Sequence, residues 1–325
     1  MAAATVTTTF ECLVRFYIIA FKKPEINDII FKIWRKFWPV MVVSPKKMEQ
    51  LIRKCYTALI LTVGCYGPAI LCNSIATLWP YLSNRELILR SVYPFDWNQT
   101  YVYEVIYIWQ YVTQWYILIL VNTFDFFMIP VVMVCTVQFG ILQDVFKNIL
   151  SQKSRRQRLL IFGDVISDRD MILRCLDHQQ MLISICNQLE EIFRFAILFQ
   201  FVTSTAALCS SALMLQVDSS HFMEMLTFVI AHMFQLFYYC FVGSELISYS
   251  ENMANAIYKC NWHLSDNREF MKALTLILQR CQKPQRLTAV GIVDLNFVSY
   301  LTVLRVAFSF YTLLTKVIDR GTSWT

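Results

Sequence analysis

Charge is scarce in this chain: Asp, Glu, Lys and Arg make up 16% of 325 residues, against 57% hydrophobic ones. Soluble domains carry about 25% charged and about 45–50% apolar residues. A water-soluble domain is therefore disfavoured, and disorder is excluded because so apolar a chain does not stay solvated. Glycine is scarcer still, seven residues in all. That leaves no glycine-rich loop to cradle a phosphate and no Gly/Ser linker. No G-x-S-x-G, H-E-x-x-H or Walker A sequence occurs, so an enzyme reading has no constellation to stand on. Two Cys/His pairs, Cys175 with His178 and Cys260 with His263, lack a second pair at ligand spacing. No metal or cofactor is expected.

What is present is apolar length. Crossing a bilayer as a helix takes about 20 apolar residues. Five runs qualify or nearly do: 55–84, 105–124 (continuing beyond Asp125 to 143), 195–217, 225–244, and 295–315, the last apolar apart from Arg305. Soluble cores rarely supply five such lengths, and the fold class reads as an all-α, multi-pass transmembrane bundle. Of 29 Lys and Arg, 22 fall in three alternating segments, 22–54, 147–174 and 259–286. Basic residues concentrate on cytoplasmic loops. The net charge of +6 is therefore topology, not nucleic-acid binding. Segments 22–54, 147–185 and 250–290 are placed inside, and 80–101, 217–222 and the C-terminus outside. Asn98 opens an N-x-T glycosylation sequon in an outside segment. None of the eleven cysteines lies in either outer loop, so an extracellular disulfide is not expected. The first 21 residues show neither a basic n-region nor a small-residue cleavage site, and no signal peptide is expected.

Two interior features stand out. Asp125 divides the long apolar stretch that starts near Tyr103. An ionisable group in lipid is costly unless it faces protein or water, so Asp125 either meets a polar partner in the bundle or snorkels in a loosely packed region. In the last span, Thr302, Arg305, Ser309, Thr312 and Lys316 recur at offsets of 3, 4, 3 and 4, which places them on one helical face. Such a stripe lines water or meets another helix's polar groups. His232, inside a span, is read as packing or ligand contact.

Several segments resemble a family. Tyr258, Cys260 and Trp262, then Arg280–Pro284, Leu287-Thr288-Ala289 and Ser309-Phe310-Tyr311 follow the order of motifs at the end of insect odorant receptors. Tyr93–Trp97, Tyr103-Glu104, Gln138-Phe139, Asn187 with Leu189-Glu190, and Phe199-Gln200-Phe201 resemble that family's middle helices. The resemblance is to the tuning, ligand-binding subunit: the 147–185 segment lacks the coreceptor's insertion, and the gustatory T-Y-x5-Q-F signature is absent. It implies a seven-helix fold with an inside N-terminus. Phe10–Phe21 would then be the end of the second helix, with the first helix and part of the second missing.

The resemblance further implies a cation channel of four subunits, assembled with the coreceptor in the plasma membrane of a sensory dendrite. Residues 1–250 would form the bundle with an outer ligand pocket, and 251–325 the cytoplasmic anchor and pore helix. The pocket should be apolar and aromatic with few polar anchors. Its candidates are Phe16 and Tyr17, then Cys65, Pro68, Ala69 and Cys72, facing Tyr111, Gln114, Trp115 and Leu118, with Phe228, Ala231 and His232. The polar stripe Arg305, Ser309, Thr312 and Lys316 would line the pore, and Leu313 and Val317 align with the gate. The ligand is expected to be a small apolar volatile, unless Arg15 turns into the pocket, which would favour a carboxylate. Alternatives are a G-protein-coupled chemoreceptor, for which neither D/E-R-Y nor N-P-x2-Y occurs, a secondary transporter, and a truncated non-functional receptor.

Overall fold

The computed structural model describes residues 2–83, 87–89, 93–97, 99–217, 222–264 and 268–322. Among these it is almost entirely helical. The order is α1 (Ala2–Phe21), α2 (Lys23–Lys36), α3 (Pro45–Ser83), α4 (Thr100–Asn148), α5 (Lys153–Phe162), α6 (Asp168–Val217), α7 (Phe222–Tyr258), α8 (Arg268–Cys281), a hairpin of β1 (Thr288–Ala289) with β2 (Val293–Asp294), and α9 (Phe297–Thr322). Each of the five apolar runs coincides with the body of one helix. Among the described residues, α3, α4 and α6 are long and apolar enough to cross a membrane. Local chemistry sets the breaks: Pro24 opens α2, and Gly163, at φ 74°, closes α5 by donating to the Leu159 carbonyl at 3.0 Å.

Helix α1 runs from Ala2 to Phe21, so Phe10–Phe21 closes a helix. Helix α4 continues unbroken through Asp125 for 49 residues, and that carboxylate meets polar partners in the bundle.

Helices α4 and α6, of 49 and 50 residues, rise about 75 Å at 1.5 Å per residue, against a hydrocarbon core of about 30 Å. The excess on the basic side forms a tightly packed layer with α5 and α8. Phe270, Leu274, Ile277 and Cys281 give α8 a buried face at helical spacing, which meets α6 and α7. Burial pushes the Cys281 thiol up to about 11. Polar locks set the register here. Gln138 accepts from the Trp38 amide at 3.1 Å and donates to its carbonyl at 2.9 Å, while His178 stacks on the Trp38 ring at 4.1 Å. Glu190 accepts from the Thr288 amide at 2.6 Å and from its hydroxyl. Helix α7 runs uninterrupted through residue 250, where the sequence reading divides the chain.

Within the apolar zone a single polar cluster joins five helices. Asp125 of α4, wholly buried, pairs with Arg15 of α1 at 3.0 Å. It also accepts from the hydroxyls of Tyr66 on α3 and Tyr239 on α7, and from Gln235 Nε2 at 2.9 Å. Arg15 in turn pairs with Glu11, donates to Gln200 Oε1 of α6 at 2.6 Å, and lies 5.3 Å from the centre of the Phe124 ring. Thr203 donates to Glu11 at 3.2 Å, and Gln200 donates to Ser204 at 2.9 Å and to Gln235 at 3.2 Å. One guanidinium serves two carboxylates, and neutral donors from α3, α6 and α7 complete the shell. Removing one partner of such a buried pair leaves an uncompensated ion and typically costs about 3–5 kcal/mol.

Two predictions follow from packing. Asp125→Ala is expected to lower the thermal unfolding midpoint of the detergent-solubilised chain, at a cost of about 3–5 kcal/mol. Asp125→Asn, which still accepts from the tyrosines, should lower it less; equal midpoints for Ala and wild type would remove the cluster as the joint of the bundle. The second concerns Gly243 on α7, where an added Cβ would lie 2.1 Å from the Leu295 carbonyl oxygen. Gly243→Ala should cost about 1–3 kcal/mol by overpacking. Gly67→Ala, inside α3 with nothing within 4 Å of the new methyl, should hold or slightly raise the midpoint, since Ala is the better helix former.

Candidate functional site

On the outer side of the Asp125 cluster, α3 and α4 are capped by an aromatic lid. Leu87, Tyr103 and Tyr107 form a small core with Tyr93 and Trp97 packed against it. Gln110 clamps the connecting segment, accepting from the Leu89 amide at 2.9 Å and donating to the Leu89 carbonyl and the Tyr93 hydroxyl at 3.1 Å. The Tyr107 hydroxyl donates to the Thr77 carbonyl of α3.

Between lid and cluster lies one face of α4. Tyr111, Gln114, Trp115 and Leu118 are all half-buried on it. The rings of Tyr111 and Trp115 sit 6.2 Å apart, and Gln114 Nε2 donates to Asn73 Oδ1 of α3 at 3.3 Å. At helical spacing the face continues through Asn122 to Asp125. Trp115 Nε1 and Asn122 Oδ1 are buried without a hydrogen-bond partner among the described residues. A buried donor and acceptor left open in this way are uncommon and call for a partner. Asn73 and Asn122 were not among the sequence candidates. Their signal was present: amides inside apolar runs, with Asn122 three residues before Asp125.

The remaining candidates distribute unevenly. On α3, Ala69 is half-buried while Pro68 and Cys72 are exposed. On α7, His232 is half-buried, within electrostatic reach of Arg15, and Ala231 is exposed. The side chains of Cys65, Phe228 and Val317 lie outside the described residues, as does Asn98 altogether. Phe16 is 47% exposed and Tyr17 59%. Tyr17 lines a groove of about 410 Å³ between α1 and α6, with Leu13, Phe195 and Phe199, and is not among the α4 residues. The reason is periodicity: Glu11 and Arg15 commit the inner face of α1 to the cluster, and two residues beyond Arg15 is about 200° around the helix. The two terminal nitrogens of Arg15 are taken up by Glu11, Asp125, Gln200 and the Val121 carbonyl, while its Nε has no hydrogen-bond partner among the described residues. Its charge is thus matched by two carboxylates although one donor stays open.

Helix α9 is held at its base. Phe237 of α7 meets Phe297 and Tyr300, each at 5.6 Å. Further along, Arg305, Ser309 and Lys316 are exposed and Thr312 is half-buried, donating to the Ser309 carbonyl at 2.9 Å. The apolar side is uncovered too, with Phe308 68% and Leu313 59% exposed.

This arrangement has counterparts. The family model described as 7tm Odorant receptor matches residues 1–308. Odorant receptor 10 of Aedes albopictus is 22% identical over 321 residues, covering 95% of this chain and 81% of that receptor. Odorant receptor 85f of Drosophila melanogaster is 26% identical over 155 residues, 47% of this chain but 39% of that receptor's own length. The chain thus spans well under half of some relatives it matches. In fold it is similar to the insect olfactory receptor OR5 from Machilis hrabei, with a TM-score of 0.82 at 15% identity over 97% of this chain and 80% of that one. The same receptor in complex with eugenol gives a TM-score of 0.78. With that family model covering residues 1–308, the chain belongs to the 7tm odorant receptor family.

Proposed function

We propose that this chain is the ligand-binding subunit of an odorant-gated cation channel, opening a pore that it forms with a coreceptor, as a tetramer in the plasma membrane of a sensory dendrite. Family membership across residues 1–308 is the observation that carries the receptor role. In this reading residues 1–250 hold the ligand, and 251–325 anchor the subunit and contribute the pore helix.

The ligand is a small, mainly apolar volatile held without catalysis beside the α4 face. Tyr111, Trp115 and Leu118 supply the apolar wall, where burial is worth roughly 25 cal/mol per Å². Trp115 Nε1 and Asn122 Oδ1, open and buried, each offer one orienting hydrogen bond of about 1 kcal/mol net. That the charge of Arg15 is already paired with Glu11 and Asp125 supports a neutral ligand over a carboxylate. A eugenol-bound relative of the same fold supports a small organic molecule. The exposed stripe of Arg305, Ser309 and Lys316 on α9 supports contact with water in the assembled pore, with Leu313 and Val317 as its apolar constriction.

Co-expression with a coreceptor provides two tests. Across a panel of matched acids, alcohols and esters, neutral compounds should be preferred. Trp115→Ala should raise half-maximal concentrations about tenfold, the loss of one to two kcal/mol of burial and bonding, with little change in maximal current. A clear preference for acids would overturn the neutral pocket. Apolar rings close a pore by dewetting, so Leu313→Ser should raise the basal current. Unchanged leak, conductance and selectivity in that variant would remove α9 as the gate.

A further inference from the structure

A second cavity lies on the cytoplasmic side, between α3, α4 and α7, with a volume of about 430 Å³. Lys47, Lys54, Lys147 and Lys259 line it, with Asp144 and Tyr249. The Tyr249 ring is shared by two of these cations, Lys47 at 5.2 Å and Lys54 at 4.9 Å from its centre. Lys54 pairs with Glu245. Some bases elsewhere have local partners, as in Lys22–Glu25, Lys32–Asp28 and Arg53–Glu49. Lys47, Lys147 and Lys259 make no ion pair with any described residue. Asp144 lies within the field of Lys47 and Lys147, but also accepts from Gln157 at 3.2 Å. Four lysines against Asp144 and Glu245 leave a net charge of +2 in one concavity.

Position identifies the complement. Lys54 is the last charge before the 30-residue uncharged run of α3, and Glu245 is the first after the uncharged run of α7. The cavity therefore begins where these helices leave the apolar zone and extends toward the basic, cytoplasmic side. That leaflet is anionic, and basic pockets between helices at this level take phosphorylated headgroups. Lysine ammoniums suit phosphate as compact point charges, and the volume lies within the range of small-molecule pockets. We infer that this cavity binds a multiply phosphorylated inositol headgroup, clasped by Lys47, Lys147 and Lys259 over the Tyr249 ring. Ligation there would tie the inner ends of α3, α4 and α7 together at a site separate from the α4 face.

The full chain, purified in detergent, is titrated with dioctanoyl phosphatidylinositol bisphosphate, with inositol trisphosphate, and with dioctanoyl phosphatidylcholine as the uncharged-site control, following the unfolding midpoint and affinity. The bisphosphate lipid is expected to bind and to raise the midpoint, and phosphatidylcholine to do neither. Each surface lysine contributes about 1 kcal/mol toward an anionic headgroup, which is roughly fivefold in affinity. Lys147→Gln should thus weaken binding about fivefold, and Lys47→Gln/Lys147→Gln/Lys259→Gln about a hundredfold. Lys46→Gln, exposed and outside the cavity, should leave affinity unchanged. If inositol trisphosphate binds as tightly as the lipid, the headgroup alone is recognised and a soluble inositol phosphate is the source; tighter binding of the lipid assigns it to the membrane. Wild-type chain that binds neither compound, or single and triple variants that bind as wild type does, would overturn the assignment.

Discussion

A carboxylate buried among apolar helices is a constraint that every neighbour must answer. Asp125 is answered by a guanidinium from α1, phenols from α3 and α7, and an amide from α7. Apolar side chains in a lipid environment gain little by choosing one helix over another, because lipid tails are as apolar as they are. Directional groups therefore decide register. Once Asp125 and Arg15 meet, a slide of α1 by one residue would withdraw Arg15 from Asp125 and Glu11 from Thr203 together. The cluster acts as the pin about which the bundle is aligned.

On either side of that pin the packing differs in kind. Toward the cytoplasm, Leu142, Val145, Phe146, Ile185, Leu189 and Leu246 are fully buried, and Glu190, Gln138 and Ser250 lock loops onto helices. Toward the outside, the α4 face is only half-buried and carries open polar atoms at Trp115 and Asn122. The two halves thus differ in burial: the inner ends of α4, α6 and α7 are closed over by the basic segments, and the α4 face beyond the cluster is packed more loosely.

Much of this was legible in the residues because the bilayer leaves few choices. Runs of apolar length became helices α3, α4, α6, α7 and α9, and the basic segments became the layer at their inner ends. What periodicity does not disclose is which helix a polar residue in an apolar run will meet. Asp125 suggested a partner, yet nothing local to Tyr66, Gln200, Gln235 or Tyr239 marks them as its shell. Asp125 interrupts hydropathy without interrupting α4, because a charge that is paired does not break the helix. Tyr17 was grouped with the α4 residues by composition. Its neighbour Arg15 decides otherwise, since one helix cannot turn both residues inward. Glu190 and Thr288, 98 positions apart, were visible as separate family motifs, but their bond to each other required the fold.

Helix α9 carries the remaining step. Its base is fixed by Phe297 and Tyr300 against Phe237, and by the close approach of Leu295 to Gly243. Beyond Val303, among the described residues, Arg305 and Ser309 of the polar stripe and Phe308 and Leu313 of the apolar side are exposed. An amphipathic helix needs two environments, water for one side and apolar matter for the other. A lone subunit in lipid supplies only the second, and charge on Arg305 and Lys316 would be costly there. Closing several such helices around a common axis gives the polar sides a shared aqueous lumen and the apolar sides neighbouring helices or lipid. The exposure of both sides of α9 is therefore itself an argument for assembly with further subunits, as proposed above.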